Sequence, residues 1–382
     1  MDLSSILNSS ARIEKVEWVL LPGERWREIG CNARKGWHGK VYMNEVARVT
    51  IEGITGFGWS RITKSQASHW IGKPVRHIFS SNGRINEEFR SLEYPLLDWL
   101  GKVTGKPVYD IISGEKLITQ LQVPIYESTL YFDELHLSNQ VEAIKFMQER
   151  ALDGWNMGHR SFKIKVGRGA RHMPLMEGIN RDIAVINGIR EAVGSSAHIM
   201  IDANNSYNLN ITKQVLAETA HSNLTFIEEP FYEDPILLED LHEWMNLHKI
   251  HVMIADGEGL TAAPALVDWA KKGLIDMIQY DIRFYGFNKL LELEDELKGT
   301  RVKQAPHNYG GPFGNYASAH IACYMDKFTF IEWDEVHVPG VCTSGYEIKE
   351  GKVLVPDLPG FGLVLDDPYF KKKVCDEGWA VR

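Results

Sequence analysis

The chain has 382 residues, 44% of them hydrophobic, which is enough for a large core together with an additional domain. Its 42 basic and 51 acidic residues give a formal net charge of −9 without a basic block, so the composition argues against nucleic acid as a partner. We find no apolar run that could span a bilayer, no signal-peptide pattern and no metal-site spacing among the four cysteines, so we expect a reduced, cytoplasmic protein with no membrane partner.

The first 121 residues are predicted to form an α+β domain. Segments 11–23 and 45–62 have the pattern of antiparallel strands with Gly-rich turns. Segment 93–114 has helical character and is interrupted by a turn at residues 105–107. We expect this domain to cap the remainder of the chain.

From residue 122 onward, short apolar runs alternate with longer segments of helical spacing. The strand candidates are residues 122–129, 161–167, 197–204, 224–230, 251–258, 277–283, 301–307 and 328–335. This alternation predicts parallel βα units, and eight strands close a (β/α)₈-type (modified TIM) barrel of the α/β class, which we place at residues 122–340. A doubly wound sheet is the alternative, but no GxGxxG turn follows an early strand. Residues 341–382 have hairpin character and are expected to pack back on the capping domain.

Almost every strand candidate ends in a titratable residue. These residues are Lys165, Asp202, Glu228, Glu258, Asp281, His307 and Glu332. A single polar residue at such a position often only caps the next helix. Seven in consecutive units indicate an active site, because barrel enzymes build theirs at the carboxyl ends of the strands.

Three carboxylates, Asp202, Glu228 and Glu258, end consecutive strand candidates and should therefore lie together. Without a cation they would raise one another's pKa, and an all-oxygen site suits Mg²⁺. Helix capping or pairing with Arg is the competing interpretation. Asp256 is an alternative to Glu258, and only one of Glu228 and Glu229 should be a ligand because neighbouring strand residues face opposite sides.

The run "SFKIKVG" (161–167) places Lys163 and Lys165 on one side of a predicted strand. On an edge strand two lysines would only increase solubility. If both instead point into the mouth of a barrel, each lowers the pKa of the other, and a nearby metal lowers it further. A lysine with a lowered pKa can act as a base.

Seven short motifs occur in one order: "KIK", "IDANN", "FIEEP", "ADGE", "QYDIR", "PHNYGG" and "FIEW". Over roughly residues 120–335 they resemble the motifs of the enolase superfamily, mandelate racemase subgroup. The resemblance implies a Mg²⁺ enzyme that removes the proton α to a carboxylate through an enediolate.

Individual roles follow from that resemblance. It implies Asp202, Glu228 and Glu258 as Mg²⁺ ligands and Asn204 near the substrate carboxylate. It implies Lys165 as the base, with Lys163 holding the carboxylate and lowering the pKa of Lys165. Glu332 would hydrogen-bond a carboxylate oxygen of the intermediate, with Asp334 and Glu335 as nearby alternatives, and Arg283 of "QYDIR" is a candidate substrate-binding residue.

His307 is the second predicted acid–base group. Alone, a histidine after "QAP" would more often be a structural hydrogen-bonding residue. Asp281, however, ends the preceding strand, and a carboxylate there would fix the tautomer of His307 and raise its basicity. We therefore expect Lys165 and His307 to face each other across the substrate.

Dehydration of an acid sugar to a 2-keto-3-deoxy acid is the reaction we expect. Racemisation or epimerisation and cycloisomerisation of a related hydroxy acid are alternatives that the same groups support. A non-catalytic barrel that binds a metal or an acid sugar is an alternative of another class, but it would not need both Lys165 and His307. A metal-dependent hydrolase is a further alternative, but such barrels prefer His-rich ligand sets. We also expect a homo-oligomer.

Segment 24–40, "ERWREIGCNARKGWHGK", is predicted to be a mobile lid that sets specificity. Its Trp26, Trp37 and His38 are candidates to stack on a sugar face, as is Trp59, although domain packing explains such aromatic residues equally well. The loop over residues 166–182 is longer than a usual βα loop. Its basic residues, Arg168, Arg171 and His172, are candidates to contact the distal end of the substrate.

Overall fold

The structure is a computed structural model that describes residues 3–114, 118–259 and 262–382. The N-terminal part contains three long antiparallel strands, β1 (Ile13–Ile29), β2 (Gly39–Ile51) and β3 (Ile54–Trp59). Its helices are α1 (Leu3–Leu7), α2 (Lys64–Trp70), α3 (Val75–Ile78), α4 (Glu93–Thr104) and α5 (Val108–Ser113), with a 3₁₀ turn at Glu87–Leu92. Helix α4 packs directly on β3 because Gly56 has no side chain; a Cβ there would lie 2.1 Å from the carbonyl oxygen of Pro95.

Eight parallel strands form the barrel. They are β4 (Leu121–Leu130), β5 (Ser161–Lys165), β6 (His198–Asp202), β7 (Leu224–Glu228), β8 (Met253–Asp256), β9 (Met277–Ile278), β10 (Lys303–Gln304) and β11 (Ile331–Trp333). The sheet runs in sequence order and closes where β11 pairs with β4. A parallel bridge between Gln304 and Phe328 joins β10 to the segment before β11. The predicted strand candidates thus coincide with the barrel strands, and the predicted fold class is confirmed.

Within the described residues, seven helices connect the barrel strands. They are α6 (Gln140–Asn156), α7 (Leu175–Val193), α8 (Leu209–Glu218), α9 (Pro235–His248), α10 (Leu266–Lys272), α11 (Phe287–Leu297) and α12 (Pro312–Ile321), with 3₁₀ turns at Arg168–Ala170 and Ala220–Ser222. The last barrel strand continues directly into a strand of the capping sheet and is not followed by a barrel helix. The described helices include none that is long and apolar enough to cross a membrane.

Side chains of the barrel strands alternate between two apolar layers. The outward layer includes Phe162, Ile164 and Val166, which pack against the surrounding helices. The inward layer is a small cluster formed by Tyr126, Met200, Phe226, Ala255, Met277 and Ala305. This cluster fills the barrel below the strand ends and so supports whatever is built above it.

The C-terminal segment contacts both parts of the protein. Just before it lies β12 (Val336–His337), and it contains β13 (Val341–Cys342), β14 (Glu347–Lys349), β15 (Lys352–Val355), β16 (Val364–Leu365), α13 (Asp367–Glu377) and β17 (Trp379–Val381). Strands β12 and β17 pair with β1 of the capping sheet, whereas β15 pairs with β4 of the barrel. We propose domain boundaries at residues 121/122 and 340/341, with this segment linking the two domains.

Candidate active site

Three carboxylates meet at the carboxyl ends of the barrel strands. Asp202 and Glu228 are the last residues of β6 and β7 and are partners in the strand register, and Glu258 follows β8. Each of the three offers an oxygen, and these oxygens lie within 4.8 Å of one another. Among the described residues, none donates a hydrogen bond to the buried Oε1 of Glu228. An unsatisfied buried oxygen in an all-carboxylate cluster fits a divalent cation that prefers oxygen ligands.

The structure also distinguishes between the alternative ligands within each pair, Asp256 or Glu258 and Glu228 or Glu229. Asp256 lies outside the cluster, and its Oδ1 accepts a hydrogen bond of 2.6 Å from the backbone N–H of Gly257. Glu229 also lies outside the cluster, and its backbone is left-handed, with φ of +42°. Burial raises the pKa of Glu229 to about 9, and the charge of Glu258 adds to this effect. The geometry therefore favours Glu258 over Asp256 and Glu228 over Glu229.

Lys163 and Lys165 both point into the barrel and are almost fully buried. The Nζ of Lys163 lies 2.8 Å from Glu228 Oε2 and 2.8 Å from Glu332 Oε1, and Lys165 hydrogen-bonds Asp202. Burial lowers the pKa of Lys165, but Asp202, Tyr131 and Glu258 together outweigh burial, and the pKa lies well above its usual range. This direction is opposite to our prediction, because the carboxylates surrounding the lysines oppose the mutual effect of the two amines. A metal cation bound to Asp202 would compete with Lys165 for that carboxylate.

His307 lies between two carboxylates at the opposite side of the cluster. Its Nδ1 is 2.8 Å from Asp281 Oδ2, and its Nε2 is 3.0 Å from Glu258 Oε2 and 3.8 Å from Glu332 Oε2. Burial lowers the pKa of His307, but Glu258, Glu332 and the hydrogen bond to Asp281 outweigh burial and hold the pKa well above its usual range. The cationic imidazole is therefore the favoured form, as we predicted.

A cavity of about 230 Å³ lies between these groups and the capping domain. The barrel contributes Tyr131, Lys165, Asn204, Glu258, Asp281, Phe284, His307 and Tyr309 to its wall. The capping domain contributes Asn32, Arg34, Lys35 and His38, all from the connection between β1 and β2. Lys165 and His307 thus line one cavity. The basic side chains Arg34, Lys35 and His38 of the capping domain line the same cavity.

The predicted lid segment consists of a strand and a short connection. Residues 24–29 belong to β1, and only residues 30–38 connect it to β2. This connection is attached to the barrel: Gly30 N–H donates to Asp133 Oδ1 at 2.6 Å, and Phe132 N–H donates to Cys31 O at 2.9 Å. Arg171 and His172 of the long βα loop contact the backbone of the same connection, so they position it and do not line the cavity.

Several predicted substrate-binding residues do not line the cavity. Arg168 is fully buried in ion pairs with Glu134 and Asp182, at 2.6 and 2.7 Å, so its guanidinium is not available to a substrate. Trp37 is 58% exposed, and Trp26 lines a separate cleft of about 730 Å³. These three predictions are corrected: β1 directs Trp26 to the separate cleft, acidic partners from distant segments hold Arg168, and Trp37, in the connection after β1, is exposed to solvent.

Two further candidates lie next to the cavity. Arg283 is buried behind its wall and donates to the backbone carbonyl of Tyr309. Trp59 packs edge-on against Phe284, with ring centroids 5.5 Å apart. His38 alone of the predicted aromatic candidates lines the cavity, where it hydrogen-bonds the hydroxyl of Tyr309.

The wall also contains residues that the sequence analysis did not single out. These are Asn32, Arg34, Lys35, Tyr131, Phe284 and Tyr309. Arg34 and Lys35 lie within the predicted lid, so its basic composition was the available signal. Tyr309 belongs to the motif "PHNYGG", which was the available signal, whereas Tyr131 follows a strand candidate without a distinctive pattern and reaches the cavity through closure of the barrel.

Comparison with known proteins agrees with this architecture. The family model described as "Enolase C-terminal domain-like" matches residues 146–369. A galacturonate dehydratase variant from Geobacillus sp., crystallised with Mg, is 47% identical, with 98% of each chain covered and a TM-score of 0.96. The Geobacillus sp. galacturonate dehydratase complexed with D-galacturonate and 5-keto-4-deoxy-D-galacturonate is 46% identical, with 98% of this chain and 100% of that chain covered and a TM-score of 0.94. Arabinonate dehydratase from Saccharolobus solfataricus is 25% identical over 304 residues, 78% of this chain and 74% of the relative.

A closed parallel barrel with three converging strand-end carboxylates and an N-terminal cap defines a class of metal-dependent barrel enzymes. Within that class, the family match and the similarity over nearly the whole chain identify the family. The protein belongs to the enolase superfamily, in the mandelate racemase/muconate lactonizing enzyme group. The family resemblance predicted from the motifs is confirmed.

Proposed function

We propose that the protein is a Mg²⁺-dependent acid-sugar dehydratase that acts on a uronate of the D-galacturonate type. The observation that carries this proposal is the position of Lys165 and His307 on the wall of one cavity, next to the carboxylate cluster. The dehydratase with 46% identity and full-length coverage supports the substrate class, because its complex contains D-galacturonate and 5-keto-4-deoxy-D-galacturonate.

The product of that relative has a keto group α to the carboxylate and a deoxy carbon β to it. Numbered from the aldehyde end these carbons are C5 and C4, whereas in an aldonate they are C2 and C3. The 2-keto-3-deoxy pattern that we expected from the sequence is therefore the same chemical change in another numbering. The reaction removes the C5 proton and the C4 hydroxyl, and the resulting enol becomes the ketone.

Asp202, Glu228 and Glu258 would hold the Mg²⁺. When bound, Mg²⁺ supplies positive charge next to the substrate carboxylate, where negative charge develops as the α-proton leaves. Lys163, which is buried against Glu228 and Glu332, would donate a hydrogen bond to the same carboxylate. These groups make the α-proton more acidic without taking part in its transfer.

Lys165 and His307 would divide the two proton transfers. Lys165 accepts the α-proton in its neutral form, which requires that Asp202 no longer pairs with it. His307 is held as a cation by Asp281 and its neighbouring carboxylates, so it can deliver a proton to the departing β-hydroxyl. Water then leaves in place of hydroxide, which is a poor leaving group.

We also propose that the chain forms a homo-oligomer. Support comes from exposed apolar side chains on β2, where Val41 is 54% and Met43 is 45% exposed. The oligomeric state can be measured by light scattering coupled to size-exclusion chromatography.

A panel of acid sugars incubated with the purified protein and Mg²⁺ tests the proposed function. Formation of an α-keto acid is measured as its semicarbazone, and we expect it with D-galacturonate. D-Glucuronate differs only in the configuration of the C4 hydroxyl and is the matched control; it should react much more slowly, because its leaving group points away from the acid. No α-keto acid from any acid sugar, in a folded protein that binds Mg²⁺, would contradict the proposal.

A further inference from the structure

The backbone of Glu258 is held differently from the backbones of the other two clustered carboxylates. Asp202 and Glu228 end their strands, and their carbonyl groups accept hydrogen bonds from Val166 N–H at 2.9 Å and Ala203 N–H at 3.1 Å. Glu258, in contrast, lies two residues beyond the end of β8, between Gly257 and Gly259. Gly257 has φ of +110°, a conformation that favours glycine. Some contact other than the strand ladder must therefore position this carboxylate.

The hydroxyl of Tyr285 makes two hydrogen bonds to the chain just beyond Glu258. It donates to the carbonyl oxygen of Gly259 at 2.6 Å and accepts from the backbone N–H of Ala262 at 3.0 Å. A phenol hydroxyl has one proton and two lone pairs, so it makes both bonds at once. One side chain thus connects two points of the segment that follows the proposed metal ligand.

Tyr285 is itself rigidly placed. Its ring stacks on Tyr280, with centroids 4.2 Å apart and an interplanar angle of 8°. Its backbone N–H donates to Asp281 O at 3.0 Å, and its carbonyl accepts from Arg90 of the capping domain at 2.7 Å. The ring of Tyr280 also lies against Gly257, where an added Cβ would be only 3.2 Å away. The stacked pair therefore supports the chain on both sides of Glu258.

The turn at residues 281–285 contacts both members of the His307–Glu258 pair. Asp281, at its start, bonds His307 Nδ1 at 2.8 Å, and His307 Nε2 lies 3.0 Å from Glu258 Oε2. Tyr285, four residues later, bonds the backbone of Gly259 and of Ala262, just beyond Glu258. A displacement of this turn would move the imidazole and the carboxylate together.

We propose that the Tyr285 hydroxyl is a positioning element for Glu258 and so sets the metal affinity of the site. This inference rests on the proposed function, because it takes Glu258 as a metal ligand. Tyr285 does not touch the metal or the substrate; it acts through the backbone that carries the ligand. Side chains that orient metal ligands typically change metal affinity by about 10- to 100-fold when they are replaced.

The experiment compares Tyr285→Phe with Tyr280→Phe. The first variant keeps the stacked ring and loses both hydrogen bonds, whereas the second keeps both bonds and an equivalent ring. Mg²⁺ is titrated into each metal-free protein by calorimetry, without substrate, and hydrogen–deuterium exchange is followed at the amide of Ala262. We expect Mg²⁺ affinity to fall by about 10-fold or more only in Tyr285→Phe, with faster exchange at Ala262 in that variant.

Wild-type Mg²⁺ affinity in Tyr285→Phe would overturn the inference and leave the proposed function intact. An equal loss of affinity in both variants would also overturn it, because the two hydrogen bonds, which only Tyr285→Phe removes, would then not be responsible. Failure of the wild-type protein to bind Mg²⁺ would instead overturn the proposed function, and the inference with it.

Discussion

Replacing Asp281 with Asn tests the acid–base assignment of His307 with little change in shape. Asp281 Oδ1 accepts hydrogen bonds of 2.9 Å from the backbone N–H groups of Arg283 and Phe284, and the amide oxygen of Asn can keep both. Asp281 Oδ2 lies 2.8 Å from His307 Nδ1, and there the variant has an NH₂ group that cannot accept from the ring. The turn is therefore preserved while the charged partner of the imidazole is lost.

The magnitude follows from the strength of one charge-assisted hydrogen bond. Such a bond contributes about 1.5–3 kcal/mol, which corresponds to about one to two pH units. The pKa of His307 is raised in the folded protein, and removal of Asp281 lowers it. Because the cationic imidazole acts as the acid, activity is lost as the pH rises through this pKa. The basic limb of the kcat/KM profile should therefore move to lower pH by about one to two units.

The assay is the pH dependence of kcat/KM for D-galacturonate, measured with saturating Mg²⁺ for wild type and Asp281→Asn. The acidic limb, assigned to Lys165, should remain nearly in place, and kcat at neutral pH should fall by at least about 10²-fold. A basic limb that does not move would refute the role of Asp281 in holding the His307 cation. A shift confined to the acidic limb would show that His307 is the base.

Three other predictions test separate parts of the structure. Glu258→Gln should weaken Mg²⁺ binding strongly while Asp256→Asn should not, as measured by calorimetry; the reverse result would make Asp256 the third ligand. In D₂O, followed by NMR, Lys165→Ala should lose exchange of the α-proton because its base is gone, whereas His307→Asn should retain exchange through Lys165; exchange at the wild-type rate in both variants would contradict this division of roles. Burial raises the pKa of Glu93 from 4.5 to about 7, so the folded state keeps a proton that the unfolded state loses. The free energy of unfolding, measured in urea, should fall by about 3 kcal/mol between pH 4.5 and 7 in wild type relative to Glu93→Gln, and equal pH dependence would refute the shift.

Strand periodicity predicted which residues share a face of a barrel strand, and the predicted barrel indicated that this face points inward. Lys163 and Lys165 share one face because successive strand side chains alternate, and the register then aligns Lys165 with Asp202 and Glu228. The same rule separates Glu228 from Glu229. It cannot decide between Asp256 and Glu258 as the metal ligand, because residues two apart on a strand point to the same face. That choice depends on the left-handed conformation of Gly257, which places Glu258 beyond the strand.

Residues outside the barrel strands were predicted less well, because their positions depend on contacts between distant segments. Arg168 is neutralised by Glu134 and Asp182, which come from two other segments and have no spacing that links them to it. The predicted lid, residues 24–40, includes the connection at residues 30–38 that lines the cavity, but the prediction did not single out Arg34 and Lys35. It could not determine that β1 continues to Ile29 and directs Trp26 away from the cavity.

The most direct test of the account is a proton NMR time course of D-galacturonate with the protein in D₂O, with and without Mg²⁺. The account predicts loss of the C5 proton signal and appearance of 5-keto-4-deoxy-D-galacturonate with deuterium at C4, only when Mg²⁺ is present. The variant Glu228→Gln should give neither change. An unchanged substrate spectrum with Mg²⁺ bound to the wild-type protein, or product formation in Glu228→Gln at the wild-type rate, would contradict it.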